Sequence, residues 1–238
     1  MSKEKIDLSI VLPCYNEMEH ITYSIKELIF FLENTHLNYE IIIIDDCSID
    51  GTAKTISALS KKYPQLRVYL HSQNIGRGGT VSEGIKKARG EVVGFIDIDL
   101  EVPQWYILPA YILIKNGHDI VTANRIYRIE LKGIVRWILN RGYNLLVRNF
   151  LNVPFRDTEA GFKFFNKKMV ITILDEIKDT GWFWDTEVIV RSFLKGYKIK
   201  ELPTLFIKNN NKTSTVRIFK DSMNYLINLA RFRREIKK

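Results

Sequence analysis

The chain has 238 residues, of which 46% are hydrophobic and 26% charged, with a formal net charge of +9. This length and apolar content suit one α/β domain, or one with a small appendage, and are ample for a packed core. The two cysteines, Cys14 and Cys47, exclude a disulfide framework and are wrongly spaced for zinc, so a reduced, cytoplasmic setting is expected.

The first half alternates strand and helix patterns. Residues 8–13 form an apolar strand, and 17–34 place Ile21, Ile25, Leu28, Ile29 and Leu32 on one helical face. Residues 40–45 carry four consecutive isoleucines, as in a strand buried on both faces of a parallel sheet. Asp50 is placed to cap a helix over 51–63. A third strand (67–71), a third helix (80–88) and a fourth strand (91–97) come next. Pro103 suits the start of a further helix, and 119–123 a fifth strand. The second half is less regular: a helix over 134–151, a short strand at 161–165, a helix over 184–194 closed by Gly196, a strand at 198–202 ended by Pro203, a polar loop over 208–215 and a last amphipathic helix over 216–236.

Such alternation predicts an open, mainly parallel sheet with helices on both faces, and ligands of such sheets bind beyond the carboxyl ends of the strands. Three polar clusters fall at those ends: Pro13-Cys14-Tyr15-Asn16-Glu17, Asp45-Asp46-Cys47-Ser48 and Asp97-Ile98-Asp99. Asp97 and Asp99, at positions i and i+2, point to one side and repel unless a cation or strong donor lies between them. Mg²⁺ or Mn²⁺ carrying diphosphate oxygens meets that need, whereas a pair of solvated acids in a turn is the plainer alternative. Of Asp45 and Asp46, one is expected to face the cleft and accept from a base or ribose, the other to turn to its own loop. Gly76-Arg77-Gly78-Gly79 lacks the lysine and hydroxyl residue of a P-loop. It is expected to serve close backbone approach, with Arg77 offering charge.

These residues, with Ile44-Asp45-Asp46-Cys47-Ser48-Ile49-Asp50-Gly51-Thr52 and Ala88-Arg89-Gly90, resemble in order the motif series of family 2 glycosyltransferases with the GT-A fold. Arg156-Asp157-Thr158-Glu159-Ala160-Gly161-Phe162-Lys163 and Trp182-Phe183-Trp184-Asp185-Thr186-Glu187 are similar to motifs of the dolichyl-phosphate glucosyltransferase branch, to which dolichol-phosphate mannose synthases are close. The resemblance implies that Pro13, Tyr15, Glu17, Ile44 and Asp46 hold the base and ribose. It implies that Asp97 and Asp99 bind the metal and donor diphosphate, with Glu101 a third ligand and the Ile98 backbone at the nucleotide. Arg125 would contact a phosphate, and Asp157, Asp185 and Glu187 would line the sugar and acceptor side. A lysine of the late motif is missing at Ser214-Thr215-Val216, and Lys212 or Arg217 stands as its substitute.

The resemblance and these charges together imply an inverting, metal-dependent transferase moving a hexose from a UDP- or GDP-sugar, with UDP-glucose favoured. A polyprenyl phosphate acceptor needs no strong base, while a saccharide hydroxyl needs one, and Asp157 or Asp185 is then the candidate. A catalytically silent docked subunit and a nucleic-acid binder are the remaining alternatives; the carboxylate set argues against the first and the want of a groove or aromatic-basic sheet motif against the second. Residues 1–215 are read as the catalytic domain and 216–238, which alone carry +5, as a basic docking helix. The helix over 134–151 interleaves Arg136, Arg141 and Arg148 with Trp137, Tyr143, Leu145, Leu146 and Phe150. Both helices suit a membrane surface or a membrane-embedded partner. The N-terminus runs into a strand without a signal peptide's apolar segment. The longest apolar run, 105–114, is broken by Pro109 and falls short of the roughly 20 residues of a membrane span. The expected location is therefore the cytoplasmic face of a membrane.

Overall fold

The computed structural model describes residues 5–127, 134–208 and 218–236. The first apolar runs form β1 (Leu8–Cys14) and β2 (Tyr39–Asp45), paired in parallel from Leu8↔Tyr39 to Cys14↔Asp45. Ile41, Ile42, Ile43 and Ile44 are all wholly buried, as a strand covered on both faces requires. β3 (Leu66–Leu70) pairs outside β2, and β4 (Val92–Ile96) lies on the other side of β1. The crossovers are α1 (Ile21–Glu33), α2 (Thr52–Lys62) and α3 (Arg77–Lys87). Because β2 and β4 flank β1 on opposite sides, the loops leaving β1 and β4 part and open a crevice at their carboxyl ends.

The chain then runs through a 3₁₀ turn and α4 (Ile107–Lys115) into β5 (Ile120–Tyr127) and α5 (Ile134–Leu151). β6 (Phe162–Asn166) inserts between β4 and β5 and is antiparallel to both. After α6 (Lys167–Leu174) and α7 (Trp184–Leu194), β7 (Ile199–Phe206) pairs in parallel with β5, and α8 (Ile218–Ile236) comes last. The sheet order is β3-β2-β1-β4-β6-β5-β7.

Several boundaries differ from the pattern in the sequence. α1 starts at Ile21 because Glu17–His20 close a turn, with Glu17 O accepting from His20 and Ile21 N–H. α3 starts at Arg77, so the glycine-rich segment is its first turn. Pro203 does not end β7. The strand lies at the sheet edge, where a missing N–H is tolerated, and Pro203 pairs with Asn124 before β7 runs on to Phe206. α6 has no counterpart in the pattern; its start is set by Asn166, whose side chain accepts from Lys168 N–H.

Apolar side chains form two clusters. One joins α1, α2 and α4 to one face of the sheet, and the other joins α3 and α5 to α8 to the other face. α8 belongs to the second cluster through Leu229 and Phe232, both nearly fully buried, so the helix packs on the body by that face. Ala88-Arg89-Gly90 sits at the amino ends of the strands, where Arg89 N–H donates to buried Glu40 at 2.7 Å and Gly90 N–H to Ser9 Oγ at 2.8 Å.

Candidate active site

The crevice is walled on one side by the loops after β1 and β2. Asn16 and Cys47 both adopt left-handed backbone (φ 55° and 67°), which folds each loop back sharply. Asn16 N–H donates to Ser48 Oγ (2.8 Å), Ile49 N–H to Asn16 Oδ1 (2.9 Å) and Glu17 N–H to Thr52 Oγ1 (2.9 Å), stitching the two loops together. Asp50 caps α2 from outside, accepting from Thr52 N–H at 3.0 Å. Tyr15 stands 44% exposed at this rim, so its ring is open to a ligand, whereas Ile44 is wholly buried below it and Pro13 is half-buried.

Asp45 and Asp46 divide their work. Asp45 turns to its own loop, accepting from Ser48 N–H (3.0 Å), and its Oδ1 is buried without a partner. Asp46 turns to the segment before α3. Its Oδ1 accepts from Ile75 N–H (2.9 Å) and faces His71 Nδ1 (2.8 Å), and its Oδ2 accepts from Gly76 N–H (2.9 Å). Asp46 thus orients the approach to Arg77.

Arg77 is the hub of the floor. Its Nε and Nη2 donate to Asp97 Oδ1 (3.0 and 2.8 Å) and its Nη1 to Asp185 Oδ2 (2.5 Å). The guanidinium is stacked near Phe95 and Trp182, 4.8 and 5.0 Å from the ring centroids. Asp185 Oδ1 accepts from Lys163 Nζ at 2.6 Å, and the same ammonium donates to Ala160 O at 2.5 Å. Lys163 is wholly buried on β6; burial pushes its ammonium downward and Asp185 opposes that. Burial pushes the Asp97 carboxyl upward, against the pull of Arg77 and with the repulsion of Asp99 and Asp185 added. Asp97 Oδ2 lies so close to Gly161 that a Cβ there would fall 1.7 Å from it, which is why this position has no side chain. Leu100, just after the acidic pair, is held at φ 53°, a costly conformation for a leucine that turns the chain back with Leu100 N–H donating to Asp97 O.

A second ion pair lies beside the first. Arg125 grips Asp157 as a fork, Nε to Oδ2 at 2.6 Å and Nη2 to Oδ1 at 2.9 Å. Next to it Glu159 has its carboxyl raised to about 7. Burial is the main cause, Arg125 opposes it, and Asp157 and Asp185 reinforce it.

The fold therefore brings Asp97, Asp99, Arg77, Arg125, Asp157 and Asp185 to the carboxyl edge of the sheet or the loops beside it. Glu187 is instead buried in α7. Its Oε2 accepts from Lys178 and Asp179 N–H and its Oε1 from Arg191, so it pins the 178–183 segment instead of presenting a carboxylate to an acceptor. Ile98 is buried in the first core cluster. Arg136 lies on α5 but its side chain is outside the described residues, as are Lys212 and Arg217. Among the described residues no three His, Cys, Asp or Glu side chains gather as a metal cluster. Sequence spacing does not point to the roles of Lys163, Glu159 and Trp182. Lys163 does leave a signal, being a lone charge in the apolar strand Phe162–Asn166.

A family model described as Glycosyl transferase family 2 matches residues 9–174. Glycosyltransferase AglD of Haloferax volcanii is 30% identical over 218 residues, covering 89% of this chain and 35% of that protein. A dolichyl-phosphate beta-glucosyltransferase of Saccharomyces cerevisiae is 30% identical over 226 residues, covering 84% and 66%. The chain thus spans between about a third and two thirds of these relatives' lengths. Among solved structures, glucosyl-3-phosphoglycerate synthase of Mycobacterium tuberculosis, in complex with Mn²⁺, UDP and glucosyl-3-phosphoglycerate, superposes with a TM-score of 0.71 at 20% identity, over 96% of this chain and 80% of that one. Mannosyl-3-phosphoglycerate synthase of Rubrobacter xylanophilus superposes with a TM-score of 0.71 at 22% identity, over 98% and 76%. These two share the fold.

Proposed function

This chain belongs to glycosyl transferase family 2, and on that premise we propose that it moves a hexose from a nucleotide sugar to a polyprenyl phosphate of the dolichyl type. The observation that carries the acceptor class is the pairing of the two acids expected as bases. Asp157 has both oxygens in the Arg125 fork, and Asp185 has one oxygen on Arg77 and the other on Lys163. A carboxylate with both oxygens engaged by cations presents no unoccupied oxygen to an acceptor hydroxyl. A phosphate acceptor arrives as an anion and needs positioning rather than deprotonation, a task that suits Arg125. The curated relative from yeast, named a dolichyl-phosphate beta-glucosyltransferase, supports the same acceptor and favours a glucose donor.

Asp97 and Asp99 fit a Mg²⁺ or Mn²⁺ that draws its remaining ligands from diphosphate oxygens and water, since a hard cation of this kind takes few protein carboxylates. When bound, that cation supplies positive charge to the leaving diphosphate. Arg77 fixes Asp97 by holding its Oδ1, while its Oδ2 lies against Gly161. Tyr15 lies at the rim as a platform for the base.

No helix among the described residues is long and apolar enough to cross a membrane. Peripheral attachment on the cytoplasmic face is the reading we favour. It is supported by exposed Met223, Leu226 and Ile227 on α8 and by exposed Leu145 and Leu146 on α5, which line a groove of about 410 Å³ with Phe150 and Arg233.

One observation favours a second reading, transfer to a saccharide hydroxyl: Glu159, at about 7, is suited to act as a base. A panel of labelled UDP- and GDP-sugars, incubated with Mg²⁺ and either polyprenyl phosphate or oligosaccharides and then extracted into organic solvent, separates the two. Label in the organic phase is expected; label confined to water-soluble glycans would overturn the lipid acceptor.

A further inference from the structure

The matched family region ends at residue 174, yet the ring that covers Arg77 comes from beyond it. Trp182 sits in the segment joining α6 to α7, and it remains 40% exposed with its ring against the guanidinium. Its place is set through the backbone from two sides. On the α3 side, Gly79 N–H donates to Thr180 O at 3.0 Å. A Cβ at Gly76 or Gly78 would lie 2.4 Å from Thr180 O or Trp184 Cβ, so the glycine-rich motif serves this close approach. On the other side stands α8. Tyr225 donates its hydroxyl to Trp182 O at 2.8 Å, and Asn228 Nδ2 donates to Asp179 Oδ2 at 2.9 Å. Asp179 in turn accepts from Gly181 N–H at 2.8 Å.

We propose that Tyr225 is a positioning residue for the donor site, acting through the Trp182 backbone on Arg77 and so on Asp97. The proposal rests on the glycosyl-transfer reading. The Tyr225 ring is located independently of its hydroxyl, by edge contacts with Tyr143 (4.8 Å) and Phe183 (6.2 Å). The hydroxyl therefore acts as a fixed donor, and removing it leaves the packing in place. Without it, the Trp182 carbonyl loses its tether, the ring swings off Arg77, and the guanidinium has one fewer restraint holding it on Asp97 Oδ1. α8 is then part of the donor site's scaffold as well as the bearer of the apolar outer face. The same hydroxyl also meets the Glu159 carboxyl on the acceptor side, so its effect on the donor site is read from nucleotide binding itself.

The test uses the full chain and two substitutions, Tyr225→Phe and Trp182→Ala, with calorimetric titration of UDP and of GDP in the presence of Mg²⁺. Tyr225→Phe is expected to weaken nucleotide binding about tenfold, the scale of one lost hydrogen bond at a positioned carbonyl. The Trp182→Ala variant should show at least as large a loss, and the double variant no more than Trp182→Ala alone, because both act through one contact. Unchanged nucleotide affinity in Tyr225→Phe, or additive losses in the double variant, would each overturn the proposal. If the unsubstituted chain bound neither nucleotide, the glycosyl-transfer reading would fall and this inference with it, an outcome visible before any substitution is made.

Discussion

Along the wall built by β1 and β2, acids mostly accept from neutral groups: Asp45 from Ser48 N–H, Asp46 from Ile75 and Gly76 N–H, Asp50 from Thr52 and Met18 N–H. Along the wall contributed by β5, β6 and α7, acids are held by cations: Asp157 by Arg125, Asp185 by Arg77 and Lys163, Glu187 by Arg191. The first arrangement shapes backbone. The second fixes where positive charge sits and occupies the oxygens of its carboxylates. Between them Asp97 belongs to both, standing at the end of the parallel half and bonded to Arg77. The contrast explains how one crevice can hold acids at its floor that suit a cation and fixed guanidinium groups beside it for anions.

The largest expected effect breaks the floor itself. Asp99→Asn should lower sugar transfer by about a thousandfold, on the scale of losing a major electrostatic contribution to the transition state, and metal titration of activity would reveal it; metal-independent transfer would remove the role given to these acids. Next comes the cationic wall. Asp185→Asn leaves Lys163 and Arg77 without their shared counter-charge and should cost about 3 kcal/mol of stability in urea unfolding. A neutral result would mean that the ion pair is not needed to hold the wall. Gly161→Ala drives a methyl into Asp97 Oδ2 and should lower turnover by about a hundredfold while leaving the melting transition in place.

The smallest effect sharpens the comparison by titration. Glu159 is raised from 4.5 to about 7, so between those values the folded chain binds more protons than the unfolded one. Stability from this group therefore falls as pH rises through that window and stays lower above it. Glu159→Gln should abolish that slope and be the more stable form at pH 8. The same variant should leave the pH profile of transfer to polyprenyl phosphate unmoved; loss of a limb near pH 7 would make Glu159 a base.

Much of the parallel half was legible because strand-helix alternation and strand-end acids are local signals. The four isoleucines of β2 and the spacing of Asp97 and Asp99 are visible without any partner. The second half was harder. β6 takes an antiparallel place between β4 and β5, and nothing in Phe162–Asn166 specifies its neighbours. Glu187 carries a motif acid's sequence context but is buried by the 178–183 segment, whose path depends on α3 and α8 together.

The sequence by itself determined that this is a parallel α/β chain with paired acids at a strand end, because hydrophobic period and side-chain alternation act over a few residues. Only the tertiary structure decided which of those acids are neutralised. Arg77 meets Asp185 and Lys163 meets Asp185 across 108 and 22 positions of chain. Charge pairing over such separations depends on where the sheet order and helix packing carry each side chain, and these are properties of the whole fold.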